Sequence, residues 1–273
     1  MLRRFPANER TEVAEFYRRE GYAVVTGLFT VTELEEIASE VYRLFEVRFA
    51  AEGIAAASPQ ALMVSQYASN RDLWRQCASK MWDVVAVLRS AAKPALTELL
   101  GALGLRRPII STRPEVRTDM PGDEQFMQPW HQDWTYAQTS LNAVTVWTPL
   151  HDVTRANGAI DVIPASHLWG PLKSQQLTNP RRFVVTDDRL AGAEPVTVEL
   201  RQGECVVFSH FLVHRSGRNS TQVPRLTFQA RYADYLEPSF VNRGFPDSIS
   251  RPETTPFTPD ERQIQATFQS PVP

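Results

Sequence analysis

The chain of 273 residues is 42% hydrophobic and 22% charged, a balance typical of soluble globular proteins that argues against a disordered, fibrous or membrane protein. Its formal net charge of -2 supplies no field that would gather nucleic acid or an anionic membrane, so a small molecule is the expected partner. The length is compatible with one domain, which we expect to cover residues 1–273.

The N-terminus and the two cysteines bear on the cellular compartment. Residues 1–10 contain no apolar signal-peptide core, and no stretch approaches the roughly 18 consecutive apolar residues of a membrane-spanning helix. Cys205 lies within an apolar run, where a buried reduced thiol is expected and a disulfide with Cys77 is not. The sequence therefore predicts a cytoplasmic protein.

Residues 1–108 are predicted to be mostly helical. A helix over residues 12–20 precedes a short strand over residues 22–26. Thr30 is followed three residues later by Glu33, which is the spacing of a capping box.

Apolar residues then recur at helical intervals and predict a helix over residues 31–45. A further helical stretch covers residues 71–100, with an interruption at Pro94. We expect these helices to support one face of a sheet.

The pattern changes at residue 109 to short β-branched and aromatic runs separated by turn signals, which cover residues 143–147, 160–163, 205–213 and 226–232. This spacing is typical of a sandwich and not of alternating βαβ units. It predicts a mainly β fold with flanking helices, a double-stranded β-helix (a cupin-like jelly roll) over residues 109–237.

Two segments are predicted to be loops that could cover a site. Residues 173–194 and the C-terminal tail, residues 238–273, are both polar and contain prolines.

A histidine and an aspartate two positions apart suggest a metal site. If residues 130–134 form a strand, His131 and Asp133 point to one face and Gln132 to the other. Divalent iron prefers such nitrogen and oxygen ligands, three on one face, with the opposite face open.

The third ligand must come from a facing strand, and two histidines compete for this role. His214 follows the apolar run 205–213, and strand alternation places His210 on the same face. We favour His214 because of its distance from Arg225, eleven positions further on (225 minus 214).

Arg225 begins a run in which polar and apolar residues alternate. The polar face of such a strand more often meets solvent. Next to a metal site, however, the guanidinium of Arg225 is suited to bind the distal carboxylate of a dicarboxylate, and Ser216 could donate a hydrogen bond to the same group.

Several segments in this order resemble the phytanoyl-CoA dioxygenase family of iron(II)/2-oxoglutarate-dependent oxygenases. The matching segments are Glu20 to Val25, His131-Gln132-Asp133, Trp147 with Leu150 and Asp152, Asn157-Gly158-Ala159, Ile163 to His167, and His214 with Ser216, Asn219, Ser220 and Arg225. No single segment is decisive, but the ordered set is specific to the family.

The resemblance implies that His131, Asp133 and His214 bind iron(II), and that Arg225 with Ser216 holds the distal carboxylate of 2-oxoglutarate. It also places Trp147 in the cosubstrate pocket, although a core tryptophan on a central strand explains that residue equally well. Gln128 is a candidate to bind the metal-proximal carboxylate, although a surface role is more common for such a glutamine.

By the same resemblance the protein uses dioxygen and couples the decarboxylation of 2-oxoglutarate to oxidation, most simply hydroxylation, of an unactivated C–H bond. The presence of Asp133 argues against halogenation, because halogenating relatives have a small residue there.

Other residues that the motifs contain are expected to be structural. His167 and His151 are predicted to support loops, and Asn157-Gly158 is predicted to be a turn. Ala165 departs from the glycine of many relatives and suggests a stiffer loop. A second departure, Trp134-Thr135 in place of His-Pro, suggests a different substrate rim.

Basic residues bear on the identity of the substrate. Arginines in segments that could flank the pocket indicate a polar small molecule such as a sugar, an amino-acid derivative or another natural-product intermediate; they are Arg113, Arg117, Arg181 and Arg182. Strand parity directs Trp130, Trp134 and Tyr136 away from the iron, unless the strand ends there.

Two other classes remain open. A cupin-like isomerase or hydrolase could use the same ligands without oxygen, although Arg225 argues against it. A metal-free carbohydrate-binding jelly roll would not require the three ligands in register.

Overall fold

The computed structural model describes residues 2–178, 180–246 and 258–269. The helices are α1 (Arg10–Glu20), α2 (Val31–Ala50), α3 (Pro59–Ser69), α4 (Arg71–Ala78), α5 (Val85–Ala91), α6 (Pro94–Ala102), α7 (Pro238–Asn242) and α8 (Glu261–Gln269). Short 3-10 helices cover Met81–Asp83, Asp133–Thr135, Ser166–Trp169 and Asp188–Gly192.

The strands are β1 (Arg4–Pro6), β2 (Tyr22–Thr26), β3 (Pro108–Asp119), β4 (Val144–Pro149), β5 (Ile160–Val162), β6 (Ser174–Thr178), β7 (Arg181–Val185), β8 (Val196–Val198), β9 (Glu204–Ser209), β10 (His214–Arg215) and β11 (Arg225–Asp234). Six of them form the large sheet, in the order β1-β2-β9-β4-β11-β3. A small sheet has the order β10-β5-β8, and β6 pairs with β7 in a separate hairpin.

The capping box that begins α2 is present as predicted. The Thr30 hydroxyl accepts a hydrogen bond from the Glu33 backbone N–H, and the Glu33 carboxylate accepts one from the Thr30 backbone. The helix continues to Ala50, five residues beyond the predicted end, because Phe49 extends the buried stripe. Helix α3 and strand β1 were not predicted from the sequence.

The large sheet separates two hydrophobic layers. One face packs against the helices through alternate residues of β11, such as Leu226 and Phe228, which meet Leu34 and Ile37 of α2 in one cluster. The opposite face packs against the small sheet, where Trp147 shares a cluster with Ile160 and other residues. The helices thus support one face, as predicted, and the two sheets enclose a jelly-roll interior.

Alternation along β11 sends its polar face into this interior and not to solvent. Arg225, Thr227 and Gln229 are buried side chains on that face. The interior between the sheets therefore contains charged and polar groups that need partners or a ligand.

Both predicted loop regions contain regular structure. Residues 173–194 include the β6–β7 hairpin, and the tail includes α7 and α8. Helix α8 packs away from the sheet interior, with Phe268 against the rings of Tyr17 and His167. Residues 247–257 and 270–273 of the tail lie outside the described residues.

The predicted strand over residues 205–213 is also shorter than expected. Strand β9 ends at Ser209, and His214 begins β10 in the other sheet. The two cysteines are free and buried, as expected. Among the described helices, we find none whose length and apolar character would let it cross a bilayer.

Ala165 occupies a left-handed backbone conformation, with φ of 59°. A Cβ atom is unfavourable in this region, and glycine carries no such penalty. We expect Ala165→Gly to raise the free energy of unfolding by about 1 kcal/mol. Denaturant titration of both proteins measures the change. Equal or lower stability of the variant would show that the Cβ atom of Ala165 does not strain the backbone.

Candidate metal centre and cosubstrate pocket

His131 and His214 are brought side by side by an isolated antiparallel bridge between their backbones. Each backbone N–H donates to the other carbonyl, at 2.9 and 3.0 Å. The imidazole centroids lie 4.1 Å apart. His214 begins β10 of the small sheet, and the bridge places both imidazoles in the wall of one cavity.

Asp133 completes this group although it does not lie on a strand. The extended backbone ends at Gln132, and Asp133 is the first residue of a 3-10 helix. Gln132 does point away, as predicted, and its amide bonds the backbone of Gly170, Phe211 and Leu172. Among the described residues, one ligand atom from each of His131, Asp133 and His214 lies within 4.8 Å of the other two.

The two imidazoles present their Nε2 atoms to Asp133. Nε2 of His131 lies 3.8 Å from Asp133 Oδ1, and Nε2 of His214 lies 3.9 Å from it. The Nδ1 atoms contact the carbonyls of Pro129 and Leu212, at 2.8 and 3.0 Å. A proton on each Nδ1 leaves the lone pair of Nε2 free for a metal.

The second oxygen of Asp133 is held by side chains from two strands. Thr145 of β4 donates its hydroxyl to Oδ2 at 2.6 Å, and Arg231 of β11 donates Nε–H to it at 3.0 Å. Neither residue was assigned a role in the sequence analysis. Alternation along β11 places Arg231 on the face of Arg225, but only the fold shows that this face is internal.

Burial and local charge favour protonation states suited to metal binding. Burial, with the nearby His214, lowers the pKa of His131 to about 3, and burial also lowers the pKa of His214. Burial alone would raise the pKa of Asp133, but the charge of Arg231 holds it well below its usual value. Neutral imidazoles and an ionised carboxylate are the forms that bind divalent metals.

A cavity of about 470 Å³ opens beside these three residues. All four residues predicted to contact the cosubstrate line it: Gln128, Trp147, Ser216 and Arg225.

Arg225 is buried, with 1% of its surface exposed, and is only partly satisfied. Its Nη2 donates to Asp119 at 2.5 Å, whereas Nε and Nη1 have no hydrogen-bond partner in the described structure. Gly158 makes room for Nη1, since a Cβ there would lie 2.9 Å from that atom. The predicted turn glycine thus also permits the approach of Arg225, a role not predicted from the sequence.

Tyr136 lies in the cavity, because the extended backbone ends at Gln132 and the 3-10 helix redirects the chain. Its ring meets that of His131 edge-on, and its hydroxyl donates to Gln128 Oε1 at 3.1 Å. Ser216 Oγ accepts the Gln128 backbone N–H at 3.2 Å. Trp134 does turn away, and stacks on Phe211.

The predicted basic residues are placed unequally around the cavity. Arg113 and Arg117 line it, together with Glu115 from the same strand. Arg182 donates to the Met127 carbonyl. The side chain of Arg181 lies outside the described residues.

The remaining histidines lie outside the metal group. Strand β9 ends at Ser209, so strand alternation does not place His210 and His214 on one face. His210 is fully buried, and its backbone carbonyl accepts a hydrogen bond from the Trp134 backbone N–H. His151 accepts the Leu226 backbone N–H. His167 bonds the Arg18 carbonyl through Nε2 at 3.0 Å, so it links the loop to α1.

His167 is expected to make stability sensitive to acid, because burial lowers its pKa to about 4. Between pH 6.5 and about 4 the unfolded chain takes up a proton that the folded chain does not, so lowering the pH reduces stability. His167→Gln should remove up to about 1.4 kcal/mol per pH unit of this dependence. Denaturant titrations from pH 7 to 4 test this, and an unchanged slope would contradict it.

Comparison with known proteins agrees with this architecture. The sequence model of the phytanoyl-CoA dioxygenase (PhyH) family matches residues 17–227. The chain belongs to the phytanoyl-CoA dioxygenase family. Iron and 2-oxoglutarate, the cofactor and cosubstrate expected from the sequence, are those of this family.

The peroxisomal phytanoyl-CoA dioxygenase of Rattus norvegicus is 23% identical over 241 residues, which cover 81% of this chain and 67% of the rat protein. The chain thus matches about two thirds of that relative's length.

Solved structures that share the fold include those of SnoN and EctD. The epimerase SnoN, in complex with Fe3+, alpha-ketoglutarate and nogalamycin RO, has a TM-score of 0.61 at 23% identity, covering 83% of this chain and 84% of that one. EctD from S. alaskensis, with 2-oxoglutarate and 5-hydroxyectoine, has a TM-score of 0.56 at 19% identity, covering 82% and 76%. The predicted jelly roll is confirmed.

Proposed function

We propose that the protein is an iron(II)- and 2-oxoglutarate-dependent dioxygenase that hydroxylates an unactivated C–H bond of a polar small molecule. One observation carries this proposal. A single cavity contains the ligand atoms of His131, Asp133 and His214 together with a buried arginine, Arg225, that has two unpartnered nitrogen atoms.

The donor set fits iron(II). Two neutral imidazole nitrogens and one carboxylate oxygen on one side of the metal form the ligand type of non-haem iron oxygenases, which leaves the opposite side open. Carbonyl contacts hold the Nδ1 atoms of both histidines and fix the ring orientations. The side chains of His131, Asp133 and His214 would hold the ion.

The pocket also fits 2-oxoglutarate. Arg225 would bind the distal carboxylate through Nε or Nη1, since a buried cation whose donors lack partners is costly unless an anion reaches it. The Ser216 hydroxyl can add a further hydrogen bond. Trp147, whose ring lies 5.6 Å from the Arg225 Cζ, would form the wall beside the cosubstrate carbon chain.

Gln128 would contact the carboxylate nearest the metal. Its Oε1 accepts from Tyr136, so the amide nitrogen is the atom left to donate. Tyr136 also accepts the Phe183 backbone N–H at 2.9 Å and thereby connects Gln128 to the β6–β7 hairpin.

When bound, iron and 2-oxoglutarate would supply, together with dioxygen, the oxidant that attacks the substrate. The side chains of the cavity determine which C–H bond of the substrate is presented to it. Glu115, Arg117 and Gln229 give the cavity a polar wall, which supports a polar substrate. A sugar, an amino-acid derivative or another natural-product intermediate has this character. The solved structures of SnoN and EctD contain small molecules, nogalamycin RO and 5-hydroxyectoine.

The test begins without oxygen. Iron(II) and 2-oxoglutarate added to the purified protein should produce a weak visible metal-to-ligand charge-transfer band, and admission of oxygen should release succinate. Absence of both would overturn the proposal and favour a cupin-like, non-oxidative isomerase or hydrolase.

A substrate screen that follows succinate then identifies the reaction. Hydroxylation adds one oxygen atom to the product, whereas an epimerisation like that of SnoN leaves the mass unchanged. Turnover with no mass increase would overturn the hydroxylase assignment but not the oxygenase assignment.

A further inference from the structure

The two carboxylate oxygens of Asp133 have different partners. Its Oδ1 faces the Nε2 atoms of both histidines, whereas Oδ2 accepts from the Thr145 hydroxyl at 2.6 Å and from Arg231 Nε–H at 3.0 Å. Asp133 and Thr145 are buried and the Arg231 side chain is largely so, and charge-assisted hydrogen bonds are strong in such surroundings. Rotation of the carboxylate would break both contacts at Oδ2.

Arg231 is itself fixed at its far end. Its Nη1 donates to Glu115 Oε1 of β3 at 2.9 Å, and Nη2 lies 3.4 Å from Gln229 Oε1. Glu115 and Gln229 are paired across β3 and β11. The guanidinium is therefore held between the carboxylates of Asp133 and Glu115, and its Nε–H has a defined direction.

We propose that Arg231 and Thr145 are positioning residues that make Asp133 bind iron through Oδ1 alone. This inference rests on the proposed function. A carboxylate free to turn could bind through both oxygens and occupy a position that three ligands on one face otherwise leave open for the cosubstrate or dioxygen. The two hydrogen bonds prevent this by committing Oδ2.

The expected effects follow from the general cost of removing a partner of a metal ligand. Loss of such a partner lowers metal affinity by about 10- to 100-fold. We expect Arg231→Gln to fall within this range and Thr145→Val to lie near its lower end. Arg231→Lys keeps a positive donor and Thr145→Ser keeps the hydroxyl, so both should recover most of the affinity.

The experiment is a Co(II) titration of the metal-free protein, without 2-oxoglutarate or oxygen. It yields the affinity and the ligand-field absorption bands, which report the number of ligand atoms. Arg231→Gln and Thr145→Val should weaken binding and shift the bands, whereas the two conservative variants should resemble the wild type. Denaturant titration of every variant separates these effects from a general loss of stability.

Arg106→Gln is the matched control, because Arg106 Nε also contacts a buried carboxylate, Asp234 Oδ2 at 3.5 Å, outside this cavity. It should leave the affinity and bands unchanged.

Wild-type affinity and bands in both Arg231→Gln and Thr145→Val would overturn the inference, and so would equal losses in the conservative variants. Should Arg231→Gln fail to fold, the comparison of Thr145→Val with Thr145→Ser decides alone. A wild-type protein that binds no Co(II) would instead overturn the proposed function, and this inference with it.

Discussion

Asp133→Ala should abolish turnover. The substitution removes the one anionic ligand of the proposed iron site, which lies between the Nε2 atoms of His131 and His214. A catalytic metal contributes several kcal/mol of transition-state stabilisation, so the rate should fall at least about a thousandfold. Succinate release under oxygen measures it, together with iron content and the charge-transfer band.

The histidine assignments can be checked by the same assay. His214→Ala should match the loss in Asp133→Ala, while His167→Gln should retain iron and activity, since His167 lies against α1 and α8. Comparable loss of activity in His167→Gln, with folding and iron content unchanged, would show that the wrong histidine was assigned to the metal.

The sequence predicts the elements whose signals are local. The capping box of Thr30 and Glu33 marks the start of α2, and clean alternation marks β11. The β6–β7 hairpin was missed because Ser174–Thr178 is polar and half exposed, so no alternation of apolar residues marks it. Its position over Tyr136 depends on a tertiary contact between Tyr136 and Phe183.

The residues of the candidate site that carry local sequence signals were also predictable. A two-residue spacing brought His131 and Asp133 together, and family motifs supplied His214 and Arg225. Alternation in β11 divides polar from apolar residues but does not reveal which face is internal, so Arg231 remained unassigned.

Two further features of the site required the fold. Asp119, the partner of Arg225, comes from a strand 106 residues away in sequence, and no local pattern connects the two. Tyr136 enters the cavity because the extended backbone ends at Gln132, which strand parity does not reveal.

Arg225→Ala should weaken 2-oxoglutarate binding far more than metal binding. Nε and Nη1 of Arg225 are buried donors without a partner in the described structure, and a hydrogen bond from either one to the charged distal carboxylate contributes about 1.5–3 kcal/mol. Loss of this hydrogen bond should raise the KM for 2-oxoglutarate by roughly 10- to 100-fold. Steady-state assays with varied 2-oxoglutarate measure it.

The pair of Arg225 with Asp119 adds a second, separable consequence. Burial would raise the pKa of Asp119, but Arg117 and Arg225 lower it to about 2. The ionised carboxylate therefore stabilises the fold above pH 3.8, and this contribution to stability is lost as the pH falls towards 2. In Arg225→Ala only Arg117 remains beside Asp119, so the acid-sensitive contribution to stability should shrink while Co(II) affinity without 2-oxoglutarate stays near that of the wild type.

Arg225→Lys keeps the charge without the planar guanidinium, so its affinity for 2-oxoglutarate should lie between those of the wild type and Arg225→Ala. If the KM for 2-oxoglutarate were unchanged in both variants, the cosubstrate would have to bind elsewhere, and Arg225 would serve only to neutralise Asp119.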